Sequence, residues 1–248
     1  MRSSGGRTSV HRLAAIGLTL ALSAPAVANT FTFLTPSGAG SNGVQLQASA
    51  TFVTSADQVT VTLVNLSSNP GSIGEALGRV VFDTNVVSAG SASMLVTPAA
   101  NYISIAKDDS VTAGACCARW QLNRNGSIYE LTGRAGKGAG GTGPGYLILG
   151  SGPYTNANGS IAGNRPHNPF IDTSATFTLA IAGVTSDTTI SGVVFGFGTD
   201  ASSNVAAAVP LPATAVLFLP GLAALVAVAR RKAASVSPRH VALGTPSA

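Results

Sequence analysis

Gln58 to Asn65 reads Gln-Val-Thr-Val-Thr-Leu-Val-Asn, a run of strict two-residue alternation. Val59, Val61 and Leu63 fall on one face, and Thr60, Thr62 and Val64 on the other. Successive side chains point to opposite faces only in an extended chain, so this stretch predicts a β-strand with one buried side. Gln45 to Thr54 alternates in part, with Leu46, Ala48, Ala50 and Phe52 on one face. Ser55-Ala56-Asp57 between the two runs is short enough for a tight hairpin.

The same grammar runs through the body. Phe31–Leu34, Arg79–Asp83, Ala92–Thr97, Tyr102–Ala106, Ala118–Leu122, Ser127–Thr132, Tyr146–Leu149, Ala175–Ala182 and Thr188–Phe197 are strand candidates between Gly-, Pro-, Asn- and Ser-rich segments. Asn123-Arg124-Asn125-Gly126 predicts a hairpin turn, because Asn and Gly tolerate positive φ. Ile73–Leu77 has room for one helical turn. No amphipathic helix and no internal repeat stand out. The expectation is an all-β ectodomain over residues 29–204, a β-sandwich of jelly-roll or Ig-like type. Loops 133–145 and 150–168 are long for a compact domain, which makes them mobile or functional.

Charge sorts by position. The chain carries 14 Lys and Arg against nine acids. Arg2, Arg7 and Arg12 lie at the N-terminus, and Arg230, Arg231, Lys232 and Arg239 near the C-terminus. Setting those seven aside leaves seven positive charges in the body against all nine acids. The body has no basic stripe, which excludes nucleic acid as a partner.

Residues 1–28 have the three parts of a secretory signal peptide: a basic start, an apolar stretch from Leu13 to Leu22, and the A-x-A site Ala26-Val27-Ala28. Cleavage after Ala28 gives a mature start at Asn29. Ala24-Pro25-Ala26 is a poorer site, since proline fits an extended protease-bound strand badly. Export places the body in an oxidising compartment. The two cysteines, Cys116 and Cys117, are adjacent. Neighbouring strand side chains diverge, so the options are a strained vicinal disulfide, a bond to another chain, or free thiols.

Candidate chemistry in the body is thin. Gly138–Gly143 fits G-x-G-x-x-G formally, but no long strand precedes it and no acid follows about 20 residues on, as a dinucleotide site requires. His167, between Pro166 and Pro169, is the one histidine of the mature body; catalysis or a zinc site would need partners for it. Asp108-Asp109 offers oxygen ligands for calcium, but adjacent acids on a loop are more commonly solvated turn residues. No catalytic residue, metal or cofactor is assigned, and the protein is read as non-enzymatic. Asn65, Asn125 and Asn158 each open an N-x-S sequon, which matters only in a glycosylating source.

Near the C-terminus, Val209-Pro210-Leu211-Pro212-Ala213 leads into an apolar run ending at Ala229, followed by Arg230-Arg231-Lys232. As a helix, 213–229 would rise roughly 25 Å, slightly short of a bilayer core of about 30 Å. Pro220-Gly221 interrupts it, which membrane helices tolerate. The basic cluster would stay cytoplasmic and leave the body outside.

This pattern resembles the PEP-CTERM sorting signal in its VPLPA variant, over residues 205–232. Val59–Asn65, Pro166–Phe170 and Val193–Thr199 look like segments of the domains that accompany it. The resemblance implies a Gram-negative bacterium and recognition of Val209, Pro210, Leu211, Pro212 and Ala213 by an exosortase. It implies Arg230, Arg231 and Lys232 as the stop, a transient inner-membrane stage, and release to the cell surface or exterior. Members are often linked to exopolysaccharide and biofilm production. The family signal usually ends soon after its basic cluster, whereas here a polar tail, 233–248, follows; its composition predicts disorder. The function expected is a structural or adhesive surface protein. The alternatives are a carbohydrate-binding module, with Trp120 and Tyr129 (and Tyr146 and Tyr154) as stacking faces, and a secreted hydrolase. Aromatics commonly pack cores, which weighs against the stacking role for Trp120.

Overall fold

The structure is a computed structural model, and it describes residues 28–41, 44–87, 90–95, 99–115, 120–133, 146–163, 167–199 and 203–208. It is all-β. Its strands are β1 (Asn29–Leu34), β2 (Gly40–Ser41), β3 (Val44–Gln45), β4 (Ala48–Ser55), β5 (Gln58–Asn65), β6 (Leu77–Asp83), β7 (Ala92–Met94) and β8 (Ala99–Ile105). They continue with β9 (Val111–Ala113), β10 (Gln121–Asn125), β11 (Ile128–Thr132), β12 (Ile148–Leu149), β13 (Phe170–Ile181), β14 (Ser191–Phe197) and β15 (Ser203–Ala206). A single 3₁₀ turn, Ile73–Glu75, falls where the sequence allowed one helical turn.

The alternating run is β5, with Val59, Val61, Leu63 and Asn65 buried and the residues between them half-buried. It pairs antiparallel with β4 from Ala48↔Asn65 to Ser55↔Gln58, across a two-residue loop in which Asp57 takes φ +54°. The Asp57 carboxylate accepts the Gly183 N–H at 2.7 Å, tying that hairpin to the end of β13. On its other edge β5 pairs with β13 from Ser174 to Ala180. The Thr62 and Thr176 hydroxyls, opposite each other in this register, lie 3.0 Å apart, a cross-strand pair of the kind that helps fix register.

β1, β4, β5 and β13 lie side by side, with β8 and β7 on the far edge of β13 and β9 beyond β8. A second group runs β15, β14, β6, β11, β10. Among the described residues β12 is the strand that pairs with both groups, Ile148 with Ile171 of β13 and with Leu77 of β6, and the Ala208 N–H just past β15 adds a bond to the Leu34 carbonyl of β1. Side chains make the larger connection. Phe52 of β4 meets Phe82 of β6 at 4.9 Å between ring centroids, and Trp120, just before β10, meets Phe177 of β13 at 4.9 Å. Val61, Leu63, Val80, Leu131, Phe195 and Phe197 complete this core. Fully burying each such side chain stabilises by about 1.5–3 kcal/mol.

A smaller core of Ile103, Ile105, Leu147, Leu149, Tyr154, Ile161 and Phe170 lies beneath residues 150–163. That segment is therefore packed down by its own apolar side chains, a structured loop rather than a loose one.

Three local expectations change. The second hairpin turns at Gly126-Ser127, with Asn125 paired to Ile128, not over 123–126. Gly126 has φ +65° at the first central position, as a two-residue turn with glycine there requires. Residue 170 rather than 175 opens β13: a register shift between Ile171 and Ala175, with Thr173 at φ +54°, lets the strand continue through a bulge. Finally, β9 and β15 are short, mostly exposed strands with no apolar alternation to announce them.

Candidate functional site

Trp120 and Tyr129, offered above as stacking faces, are core residues. Trp120 is 3% exposed, donates its indole N–H to the Tyr146 carbonyl at 3.0 Å and packs on Phe177. Tyr129 is fully buried and stacked on Phe82 at 5.6 Å. The reason is register: Tyr129 lies opposite Phe82, so its ring continues the Phe33, Phe52, Phe82 series of aromatic contacts. Burial pushes its phenol pKa up, against a lowering effect of the Arg124 charge. Tyr154 is also buried and donates to the Gly150 carbonyl at 3.0 Å. Burial, reinforced by the Asp172 charge, pushes its pKa up to about 12. Tyr146 is partly buried, edge-on to Tyr102 at 5.7 Å. Trp120, Tyr129 and Tyr154 are buried in the core and present no exposed ring to a ligand.

His167 and Asn168 act as pins. The His167 Nδ1 donates to the Ser160 carbonyl at 2.9 Å. Asn168 accepts the Ile105 N–H at 2.9 Å and donates to the carbonyls of Ile105 and Ile161 at 3.2 and 3.1 Å. Together they fasten loop 150–163 to β8. Asp108 accepts from the Ser110 hydroxyl at 2.7 Å and the Ser110 N–H at 3.2 Å, and these bonds lower its pKa. It closes a turn. Among the described residues no group of three His, Cys, Asp or Glu could hold a metal ion.

Asn65 is 2% exposed. Its amide donates to the Glu75 and Ile148 carbonyls at 2.8 and 2.9 Å and accepts the Ser67 N–H at 3.0 Å. Used in full inside the fold, it has no room for a glycan.

Ala28 is exposed, and Asn29 is the first residue of β1. Ala26, Cys116-Cys117, Gly138–Gly143, the sorting motif Val209–Ala213, the run 213–229, the basic cluster Arg230–Lys232 and the tail 233–248 lie outside the described residues. Among the described residues no helix is long and apolar enough to cross a membrane. The last described contact before the motif is the Ala208 N–H donating to the Leu34 carbonyl at 2.9 Å.

The fold does assemble one polar groove that the sequence did not announce. It encloses about 400 Å³ and is lined by Val44, Gln45, Gln47, Ser67, Ser68, Asn69, Gly71, Glu75 and Asn156. Two loops build it by bonding to each other. The Asn69 N–H donates to the Ser151 carbonyl at 2.8 Å, the Ser151 N–H to Ser67 at 3.0 Å, and the Asn158 N–H to Gly71 at 2.8 Å. Glu75 reaches back to accept the N–H groups of Gly71 and Ser72 at 2.7 and 3.0 Å, half of a capping box. Asn69, at φ +49°, spans the loops, donating to the Thr155 hydroxyl at 3.1 Å and accepting the Asn156 N–H at 3.3 Å. A Cβ on Gly150 would stand 2.1 Å from the Ser67 carbonyl oxygen, so only glycine allows this approach.

No protein-family model matches the chain, and neither a curated protein nor a solved structure does.

Proposed function

We propose that the protein is an exported surface or extracellular-matrix component, sorted by an exosortase and serving a structural or adhesive role, not an enzymatic one. The observation that carries this is the order of signals in one chain: a basic-apolar-small leader, then Val209–Ala213, one apolar run and Arg230–Lys232. On this reading the leader is removed after Ala28, the run 213–229 holds the chain in the inner membrane, and recognition at the Pro-containing motif releases the body. Its association would be with exopolysaccharide or biofilm matrix.

We further propose that the body is a β-sandwich, of jelly-roll or Ig-like type. The support is that β4 and β6, which share no backbone pairing, meet face to face through Phe52 and Phe82, and that Trp120 and Phe177 make a second such contact.

Carbohydrate binding remains the second reading, but not through Trp120 or Tyr129. What favours it is the polar groove between loops 66–72 and 150–158.

The sorting reading is tested by replacing Pro210 and Pro212 with Ala and fractionating the cells. The expected result is loss from the exterior with accumulation in the inner membrane; unchanged distribution would sink it.

A further inference from the structure

We propose that the groove between the two loops is a binding site for a neutral saccharide, held by hydrogen bonds to side-chain amides without an aromatic platform. This does not depend on how the chain is sorted.

The lining chemistry selects the ligand class. Gln45, Gln47, Asn69 and Asn156 bring four carboxamides to one groove, with Ser67 and Ser68 beside them. A carboxamide both donates and accepts, as a sugar hydroxyl does, so the two match at any hydroxyl orientation. Among the described residues the Asn156 side-chain amide, Gln45 Nε2 and Gln47 Oε1 have no protein partner. The Gln47 Nε2 donates to Gln45 Oε1 at 3.2 Å, which orients both groups. Asn156 and Gln45 are exposed, so these atoms are open to a ligand. Ser67, 7% exposed on the groove wall, keeps its hydroxyl buried without a partner. Leaving such a group unpaired is costly, so it stands out from its neighbours.

Charge excludes the competing classes. Among the described lining residues the only ionisable one is Glu75, an acid. There is no cation among the described lining residues to pair with a uronate, sulfate or phosphate, and an anionic ligand would meet a carboxylate. Val44 is the only large apolar one among the described lining residues, which leaves little for a lipid or a hydrophobic peptide side chain. The volume of about 400 Å³ lies in the range of small-ligand sites, about 300–1,000 Å³. Glu75 spends one carboxylate oxygen on two backbone N–H groups, so it shapes the rim.

The walls are set before any ligand arrives. Bonds between residues 67–71 and 151–158, and the donation from the Ile73 N–H to the Ser160 hydroxyl at 2.9 Å, hold both loops. Preformed walls lower the ordering cost of binding, which a site without stacking surface needs.

The test uses the full chain in a detergent without a sugar headgroup. Cellotetraose, laminaritetraose, mannotriose and chitotriose are the neutral probes, a tetrameric alginate the acidic one, and calcium chloride alone the cation control. Binding is read by saturation-transfer NMR and calorimetry. At least one neutral probe is expected to bind, insensitive to salt. Asn156→Ala and Gln47→Ala should each weaken it about fivefold to tenfold, one lost hydrogen bond apiece. Ser68→Trp should abolish it by filling the groove, and Val87→Ala, at a position 75% exposed and outside the groove, should leave it unchanged. Circular dichroism checks that each variant folds. Failure of every neutral probe, preference for alginate, a response to calcium alone, or equal affinity in the groove variants would overturn the proposal.

Discussion

The ring centroids of Phe52 and Phe82 lie 4.9 Å apart, planes tilted by 55°, on strands that share no backbone pairing. This contact joins β4 and β6, and with them the two strand groups, through side chains alone. Phe82→Ala should cost about 3–5 kcal/mol, as deletion of a buried ring leaves a cavity. Phe52→Ala should cost as much. In a double-mutant cycle by urea denaturation the two should couple by about 0.5–1.5 kcal/mol, the added worth of an aromatic pair. Full additivity would mean that the strand groups do not depend on this contact.

Asn65 satisfies two carbonyls and one N–H with a single buried side chain. Asn65→Ala leaves the partners unpaired in the interior and should destabilise by about 3 kcal/mol. Equilibrium denaturation measures it; a loss under about 1 kcal/mol would contradict the assigned role.

Gly126 and Gly150 separate backbone strain from collision. A Cβ on Gly126 meets nothing within 4 Å, so Gly126→Ala should cost only the left-handed penalty, about 1–2 kcal/mol. At Gly150 the same methyl would meet the Ser67 carbonyl, so Gly150→Ala must part the two loops. Its cost should exceed that of Gly126→Ala, and hydrogen exchange at Ser151 should accelerate.

Tyr154 predicts an alkaline limb. Its phenol pKa is pushed up to about 12 in the folded protein from an ordinary value of 10.0. Between these values the folded state holds a proton that the unfolded state has released. Stability is therefore fully present below pH 10 and falls as pH rises towards 12. Tyr129, shifted upward in the same direction, adds to the limb. Tyr154→Phe should flatten the fall without removing it, as read by urea midpoints across that window.

Trp120 is the single tryptophan of the chain. Its burial against Phe177 predicts blue-shifted emission, poorly quenched by iodide, and unchanged by saccharides. A saccharide-induced shift would restore the stacking role that the fold removes.

What was legible in the sequence was local. The alternation of Gln58–Asn65 gave β5 its residues and its buried face, because a period of two leaves one arrangement for a half-buried chain. The hairpin at Ala56-Asp57 followed from spacing alone. The β13 bulge was not legible, since Asp172, Thr173 and Ser174 break the apolar pattern that β13 resumes at Ala175. The core packing favoured for Trp120 is what the fold shows, while the alternative of Tyr129 as a stacking face fails because composition identifies it only as large and flat, and its register opposite Phe82 turns it inward. The groove was least legible of all. Its residues come from 44–47, 67–75 and 156, and only the long-range bonding of two loops brings them together. The excess of Asn, Gln and Ser in those segments was the one available signal, and turns use the same residues.

Sorting is the central claim, and the termini of the mature protein test it most directly. Intact-mass spectrometry on protein from cells with and without the exosortase should give an N-terminus at Asn29 in both. With the enzyme, the C-terminus should fall within or beside Val209–Ala213; without it, the apolar run and Arg230–Lys232 should remain attached. A full-length C-terminus in the inner membrane of cells that have the enzyme would contradict the account.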